Sequence, residues 1–373
     1  MKSLFSAVGA YFKRCDLVLL SIAVVTSLMG LAAVYSATLS FDRSKFVIVQ
    51  GAAILIGIAA FFIVGLIDLD RVGDLWPAAY ILNLLLLLSL KFLGIGGETT
   101  GNNSWIDLGF ISVQPAEIGK IIFIFTFARH IYVLRDRLDR FSSILQLIIH
   151  ALSTAGFVYI FSDDLGMCIA YLMIFVIMLF ASGISMKIFL PMCAAGAASL
   201  VPLWMFFLKS YHKLRIIVLF NPEASPKIAY NGIQSMIAAG GGELFGYGFL
   251  KGPQTQYGIL PSKHTDFIFS SICEEWGFIG GIVIIAMLTF LVWRMLYDAS
   301  ETYDRFSYLM CIGIGGMFMI QILINIGMSL GIMPVIGLTL PLVSYGGTSV
   351  ATMYVALGIV SGFKMRKRPD RLR

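Results

Sequence analysis

The sequence predicts an all-α polytopic membrane protein with about ten transmembrane helices and a long extracytoplasmic loop between the seventh and the eighth. Three observations carry this. Of 373 residues, 58% are hydrophobic and 13% charged, about half the roughly 25% charged residues of a soluble domain, and mean hydropathy is +0.88. Apolar runs of about 20 residues recur along the whole chain, the length a helix needs to satisfy its own backbone across hydrocarbon. Basic residues gather between alternate runs, as they do on the cytoplasmic side of membrane proteins.

The runs are 17–38, 46–67, 75–94, 112–130, 143–161, 165–183, 187–208, 267–294, 306–330 and 340–363. Lys2, Lys13 and Arg14 precede the first as in a signal peptide, but that run is too long and lacks a small-residue cleavage site, so it reads as a retained anchor. An even number of spans puts both termini on one side. With that side cytoplasmic, 17 of the 27 Lys and Arg residues are internal, among them Arg71, Arg129, Arg135, Arg137, Arg140, Lys187, Arg294, Arg305, Lys364 and the tail 366–373. The net charge of +6 then follows from topology and attraction to anionic lipid, which leaves no basis for a nucleic-acid partner. Cys15 precedes the first run and Cys168, Cys193, Cys273 and Cys311 lie inside others, so no disulfide framework is expected. No internal repeat is evident, and residues 1–373 form a single transmembrane unit.

Two outer segments are polar. The first, about 95–114, is rich in Gly and Asn and carries Trp105 and Phe110, rings suited to the membrane interface. The second, 209–266, is too long for a bare connection. It contains an amphipathic helix near Tyr230 to Ala239 and a run from Gly240 to Gly248 too glycine-rich for regular helix.

Charge stands out where it is costly. Glu117 and Lys120, three apart behind Gln114-Pro115, share a helix face and either neutralise each other for entry into lipid or keep a polar site. Asp164 is placed to cap the helix after it or to face a substrate. Glu274 and Glu275 lie two turns into the eighth helix. Asp266 ends the long loop immediately before Phe-Ile-Phe, as a helix cap or as a general base whose pKa partial desolvation would raise. His264 beside it is an exposed loop histidine or a second base.

These residues stand in a recognisable order. Trp105-Ile-Asp-Leu-Gly-Phe, Gln114-Pro-Ala-Glu-Ile-Gly-Lys, Asp164-Leu-Gly, Phe220-Asn-Pro, His264-Thr-Asp-Phe-Ile-Phe, Glu274-Glu-Trp-Gly, Asn325-Ile-Gly-Met and the stretch Ile332 to Ser349 resemble the SEDS proteins, the RodA/FtsW group, over essentially the whole chain, with a slight lean to the RodA type. The resemblance implies ten helices with cytoplasmic ends in a bacterial inner membrane. It implies a glycosyltransferase that polymerises lipid II on the outer face beside a class B penicillin-binding protein, a transpeptidase. The family's catalytic aspartate falls on Asp266, its membrane-embedded Glu and Lys on Glu117 and Lys120, and a further aspartate on Asp164. Trp105, Gln114 and His264 lie in its motifs.

A lipid pyrophosphate is already a stable leaving group, so one base suffices. Asp266 would take the acceptor's hydroxyl proton, or hold a divalent cation such as Mg²⁺ or Mn²⁺, while that cation or Lys213, Arg215, Lys251 or Lys263 balances the pyrophosphate. The chain departs from many relatives at Ser104, where they have Arg, at Ser162-Asp163 in place of Gln-Pro, and at Ser262 in place of Glu. The rival readings are a lipid II translocase and a non-catalytic scaffold of an elongation or division complex.

Overall fold

A computed structural model describes residues 15–39, 43–96, 102–109, 112–302 and 304–365. Lys2, Lys13, Arg14, Phe110 and the basic tail 366–373 lie outside the described residues. The fold is all-α, and helices occupy all ten predicted segments. They are α1 Leu17–Ala37, α2 Arg43–Leu66, α3 Trp76–Leu88, α4 Pro115–Leu134, α5 Phe141–Ser162, α6 Leu165–Ala181 and α7 Met186–Pro202, then, after two helices of the long loop (α8 Ser210–Phe220 and α9 Pro226–Gly241), α10 Ile268–Ser300, α11 Arg305–Ser329 and α12 Gly347–Met365.

Eight of the ten are long and apolar enough to cross a membrane. The other two are α4, whose 20 residues include Glu117, Lys120 and Arg129, and α6, with 17 residues.

Helices α11 and α12 form the centre, with 78% of their spanning windows buried, whereas α7, at 6%, stands at the periphery. Small residues let α12 lie on α2: a Cβ at Gly358 would fall 2.6 Å from the Phe61 carbonyl oxygen, and one at Gly362 2.9 Å from that of Gly65. At one end of the bundle the Asp16 carboxylate accepts from Arg294 Nε (2.8 Å) and Lys364 Nζ (2.5 Å), and Asp298 lies 3.5 Å from Arg294. This charged knot ties the start of α1 to the ends of α10 and α12, so residues 16 and 364 share one side.

The opposite end carries the loops. The first is a two-stranded hairpin, β1 Ile106–Asp107 with β2 Ser112–Val113, held to α12 where Thr348 Oγ1 donates to the Ser112 carbonyl at 3.0 Å. The long loop is largely helical. The amphipathic helix near 230–239 is present as α9, while α8 was hidden in the sequence because it is short and interrupted by Lys213 and Arg215.

Two findings correct the sequence reading. The last span begins at Gly347, not near 340, and the chain from 330 to 346 is irregular yet mostly buried from 336 onward. Gly331, Gly337 and Leu342 have φ of +70°, +77° and +65°, and Pro334 and Pro341 remove amide donors, so no helix passes through. Irregular backbone is tolerated at this depth because side chains satisfy it: Gln50 donates to the Ser344 carbonyl (3.1 Å) and accepts from the Gly346 amide (3.1 Å). This uncharged stretch walls the candidate site, with Gly337 opposite the Asp266 carboxylate.

The second is a break in α10 at Gly277 (φ 71°, ψ −170°). The glycine-rich run enters the break. Tyr247 and Gly248 amides donate to the Glu274 and Glu275 carbonyls (both 3.0 Å), and the Phe278 amide donates to the Glu243 carbonyl (2.8 Å). Backbone groups freed by the break are thereby paired.

Candidate active site

The stretch from His264 to Phe267 is fixed by its main chain. Tyr345 N donates to the His264 carbonyl (2.9 Å) and Ser344 Oγ to that of Thr265 (2.7 Å). Asn325, fully buried, gives one amide hydrogen to the Asp266 carbonyl at 2.9 Å and the other to the Leu338 carbonyl at 2.7 Å. One side chain of α11 therefore binds the end of the long loop to the irregular 330–346 segment.

The Asp266 side chain is left for other work. Helix α10 has Phe267 as its cap residue with no side-chain capping bond, so Asp266 does not cap it. Its half-buried carboxylate makes no hydrogen bond among the described residues, and Gly337 opposes it: a Cβ there would lie 3.7 Å from Oδ2. Burial pushes its pKa up to about 6, against the pull of the Arg215 guanidinium from α8. Arg215 also borders a cavity of about 70 Å³, otherwise lined by apolar side chains such as Val218, Met236, Met328 and Val335.

Asp164 is the N-cap of α6, its Oδ1 accepting from the Met167 amide at 2.9 Å. Burial pushes its pKa up to about 6 despite that bond, and the field of Asp266 adds to the rise. Helix α6 is tied to the same wall, since a Cβ at Gly166 would lie 2.5 Å from the Ile336 carbonyl oxygen. Both Asp163, paired with Lys209, and the Asp164 cap thus have structural duties.

Glu117 and Lys120, on α4, pair at 3.0 Å with both side chains fully buried. Asn83 of α3, which donates to the Gly119 carbonyl (3.2 Å), and Tyr171 of α6, which donates to that of Ala116 (2.9 Å), complete this polar cluster. Neither partner was singled out in the sequence, where Asn83 and Tyr171 look like lone polar residues in apolar runs. The charges of Asp266, Glu117 and Lys120 all act on Asp164, so the four form one electrostatic neighbourhood.

The remaining candidates lie further out. Gln114 is the buried cap residue of α4 without a side-chain capping bond. Trp105 pairs by backbone with Ile95 (2.8 Å). Ser104 Oγ reaches the Ser162 carbonyl at 3.5 Å, so two positions where this chain departs from many relatives face each other beside Asp164. His264 is not an exposed loop residue: its ring packs edge-on to Phe46 at 5.1 Å, and burial, then Lys263, lowers its pKa to about 4. That makes it a neutral packing residue and a poor base at physiological pH.

Glu274 and Glu275 are structural. Glu274 accepts from the Gln254 and Thr255 amides (2.6 and 2.9 Å), and Glu275 from Ser36 Oγ and Gln256 Nε2 (2.6 and 2.7 Å), pinning the loop to α1. Of the four loop cations proposed to meet a pyrophosphate, Lys263 is buried and donates to the Thr255 carbonyl, while Arg215 faces Asp266.

Among the described residues no three His, Cys, Asp or Glu side chains form a metal-binding group. Asp266, unbonded and partly exposed, fits a cation that takes its other ligands from phosphate and water, as Mg²⁺ does; Asp164 is engaged by its cap.

A family model described as "Cell cycle protein", for FtsW, RodA and SpoVE, matches residues 14–368. The peptidoglycan glycosyltransferase MrdB of Escherichia coli K12 is 33% identical over 300 residues, 80% of each chain. A probable peptidoglycan glycosyltransferase FtsW of Geobacter metallireducens is 32% identical over 367 residues, covering 95% of this chain and 96% of its own. One chain of a peptidoglycan synthase complex, solved to explain how polymerization and crosslinking are coordinated, superposes with a TM-score of 0.79 at 24% identity, covering 95% of this chain and 99% of its own. RodA-type and FtsW-type relatives match alike, so the lean to RodA has no support. The chain belongs to the FtsW/RodA/SpoVE family, the SEDS proteins that its motifs resemble.

Proposed function

We propose that this protein polymerises lipid II into glycan strands on the outer face of the bacterial cytoplasmic membrane, with Asp266 as general base. The chain is a peptidoglycan glycosyltransferase of its family. The observation that carries the assignment of the base is the Asp266 carboxylate itself: main chain clamped by Asn325, side chain unbonded, pKa raised to about 6. A base held near its operating pH is both ionised and proton-seeking. Asp266 takes the proton from the acceptor's sugar hydroxyl as that oxygen attacks the donor's anomeric carbon, and the lipid pyrophosphate leaves. Arg215, whose charge acts on Asp266, would help to balance that negative charge. In the alternative role, Asp266 would hold a divalent cation that neutralises the pyrophosphate in place of taking the proton. Asp164, which feels the charge of Asp266, lies beside the base, and Tyr171 holds α6 against α4 next to the buried Glu117–Lys120 pair.

The outward placement of Asp266 rests on the positive-inside rule: the opposite end of the bundle carries Arg129, Arg135, Arg137, Arg140, Arg294, Arg305 and Lys364. A class B penicillin-binding protein is the expected partner, supported by the structural likeness to a chain of a synthase complex.

The test is purified full-length protein with lipid II and such a partner, with and without divalent cation and chelator. The parent should make glycan polymer, and Asp266→Ala should lower the rate at least about 100-fold while melting normally. Polymer from Asp266→Ala at the parental rate would remove the base from Asp266. A parent that moves lipid II across vesicles and makes no polymer would be a translocase.

A further inference from the structure

At the end of the bundle away from Asp266, three turns from distant parts of the chain border an open polar cavity of about 390 Å³, within the range of roughly 300–1,000 Å³ typical of small-molecule sites. The turn between α4 and α5 brings Arg135, Arg137 and Arg140; the turn after α6 brings Gly183; the start of α11 brings Arg305. We propose that this cavity binds a phosphate group, that of an anionic phospholipid of the adjoining leaflet.

The charge inventory points to an anion. Four arginines line the cavity with two aspartates, and both aspartates are engaged. Asp139 accepts from the Ser185 amide at 2.9 Å, and Asp136 lies 3.7 Å from Arg135. Arg137 and Arg140 make no ion pair or side-chain hydrogen bond among the described residues. Arg305 is held in place by donating to the Ser182 carbonyl. Gly183, at φ +75°, keeps the adjacent wall bare, since a Cβ there would be strained and would stand 3.6 Å from the Arg305 guanidinium.

The 22-residue helix α5 starts at this cavity. Its cap residue Arg140 makes no side-chain capping bond, and its first turn holds no acidic residue, so, with the Ser143 amide donating to the Arg140 carbonyl, the Phe141 and Ser142 amides and the positive dipole end remain for an anion. The positive-inside rule accounts for arginines on this side of a membrane protein. It does not account for their convergence from two separate turns on one cavity. The lipid source follows from position. The turns flank spanning helices, and Phe141, beside Arg140, is 79% exposed where an acyl chain would run. Arg forks bind phosphate oxygens in pairs, and basic pockets between helix ends are a known form of lipid recognition.

The test uses the delipidated full-length protein, the double variant R137Q/R140Q and, as control, K187Q, an exposed lysine on the same side that does not line the cavity. Native mass spectrometry after incubation with phosphatidylglycerol or phosphatidylcholine reads lipid retention, and melting with inorganic phosphate reads free anion. The parent and K187Q should retain phosphatidylglycerol over phosphatidylcholine, with retention falling roughly tenfold or more in R137Q/R140Q. A melting shift with inorganic phosphate, lost in R137Q/R140Q and without lipid preference in the parent, would keep the phosphate site but assign it to a soluble ligand. Equal lipid retention by the parent and R137Q/R140Q with no phosphate shift overturns the site. So does an equal loss in K187Q, which would mean diffuse charge.

Discussion

At the scale of single residues, Asp266 and the Glu117–Lys120 pair show two uses of a costly charge. Asp266 is raised by burial and left without a hydrogen bond, so its proton affinity is available for chemistry. Polymerisation should rise with pH through about 6 and level off above it, which a pH–rate profile checks. The same shift bears on stability. A carboxyl whose folded-state pKa exceeds that of the unfolded chain, about 4, favours folding below that value and loses this contribution as pH rises through about 6. Asp266→Asn should therefore melt above the parent at pH 7.5, the difference shrinking towards pH 4. Glu117 and Lys120 offset each other in a site closed to water. Removing one partner leaves a buried charge alone, so Glu117→Gln should cost about 3–5 kcal/mol, and adding Lys120→Met should recover much of it, as read by thermal or denaturant unfolding. The sequence already singled out these residues, because charges in apolar runs are conspicuous. It gave Asn325 only as part of a motif and assigned it no role, because that asparagine's part in positioning Asp266 depends on two carbonyls, those of Asp266 and Leu338, that only folding brings to it.

At the scale of elements, the broken helix α10 carries the long loop. Glu274 and Glu275 hold the segment around Pro253–Gln256 from one side, and the glycine-rich run fills the break from the other. The geometry demands glycine at Gly277, whose Cβ would meet the Leu244 carbonyl oxygen and the Gly246 amide, both at 2.4 Å, at φ +71°. Gly277→Ala should destabilise the protein by at least about 2 kcal/mol and speed proteolysis between 242 and 252. Gly240→Ala, in α9 where a Cβ meets nothing within 4 Å, should be neutral within roughly 0.5 kcal/mol. Equal protease resistance in Gly277→Ala and the parent would separate the loop from the break. The sequence read the run from Gly240 to Gly248 as too glycine-rich for regular helix; Gly240 and Gly241 nevertheless close α9, and the turn begins at Gly242. That the run pairs with the interior of a spanning helix was not visible, since Glu274 and Glu275 show charge in the apolar pattern but not which distant amides meet their carbonyls.

At the scale of the whole molecule, the two ends of the bundle have different electrostatic tasks. One end holds the Asp16 and Asp298 carboxyls with the Arg294 guanidinium and the Lys364 ammonium, closing the bundle where its first and last helices meet. Asp16→Ala should cost about 2–3 kcal/mol, below the 3–5 of a wholly buried pair, because Arg294 and Lys364 keep 17% and 24% of their side chains exposed; unfolding measurements on the full chain check it. The other end holds the carboxylates Asp164 and Asp266 between a helical loop and an irregular wall.

What the sequence by itself determined is the set of ten helical segments and the carboxylates worth attention. Transfer into hydrocarbon depends on local composition, and a helix closes its hydrogen bonds within itself, so neither needs knowledge of distant residues. Only the tertiary structure decided that 330–346 is wall and not helix, that α10 is interrupted, and that Asn325, Asn83 and Tyr171 serve the site. Each of those outcomes turns on backbone groups finding partners far along the chain, from Asn325 to Asp266 and from Gln50 to Ser344. A pattern of apolar and polar residues records which solvent a segment prefers, and it holds no record of those partners.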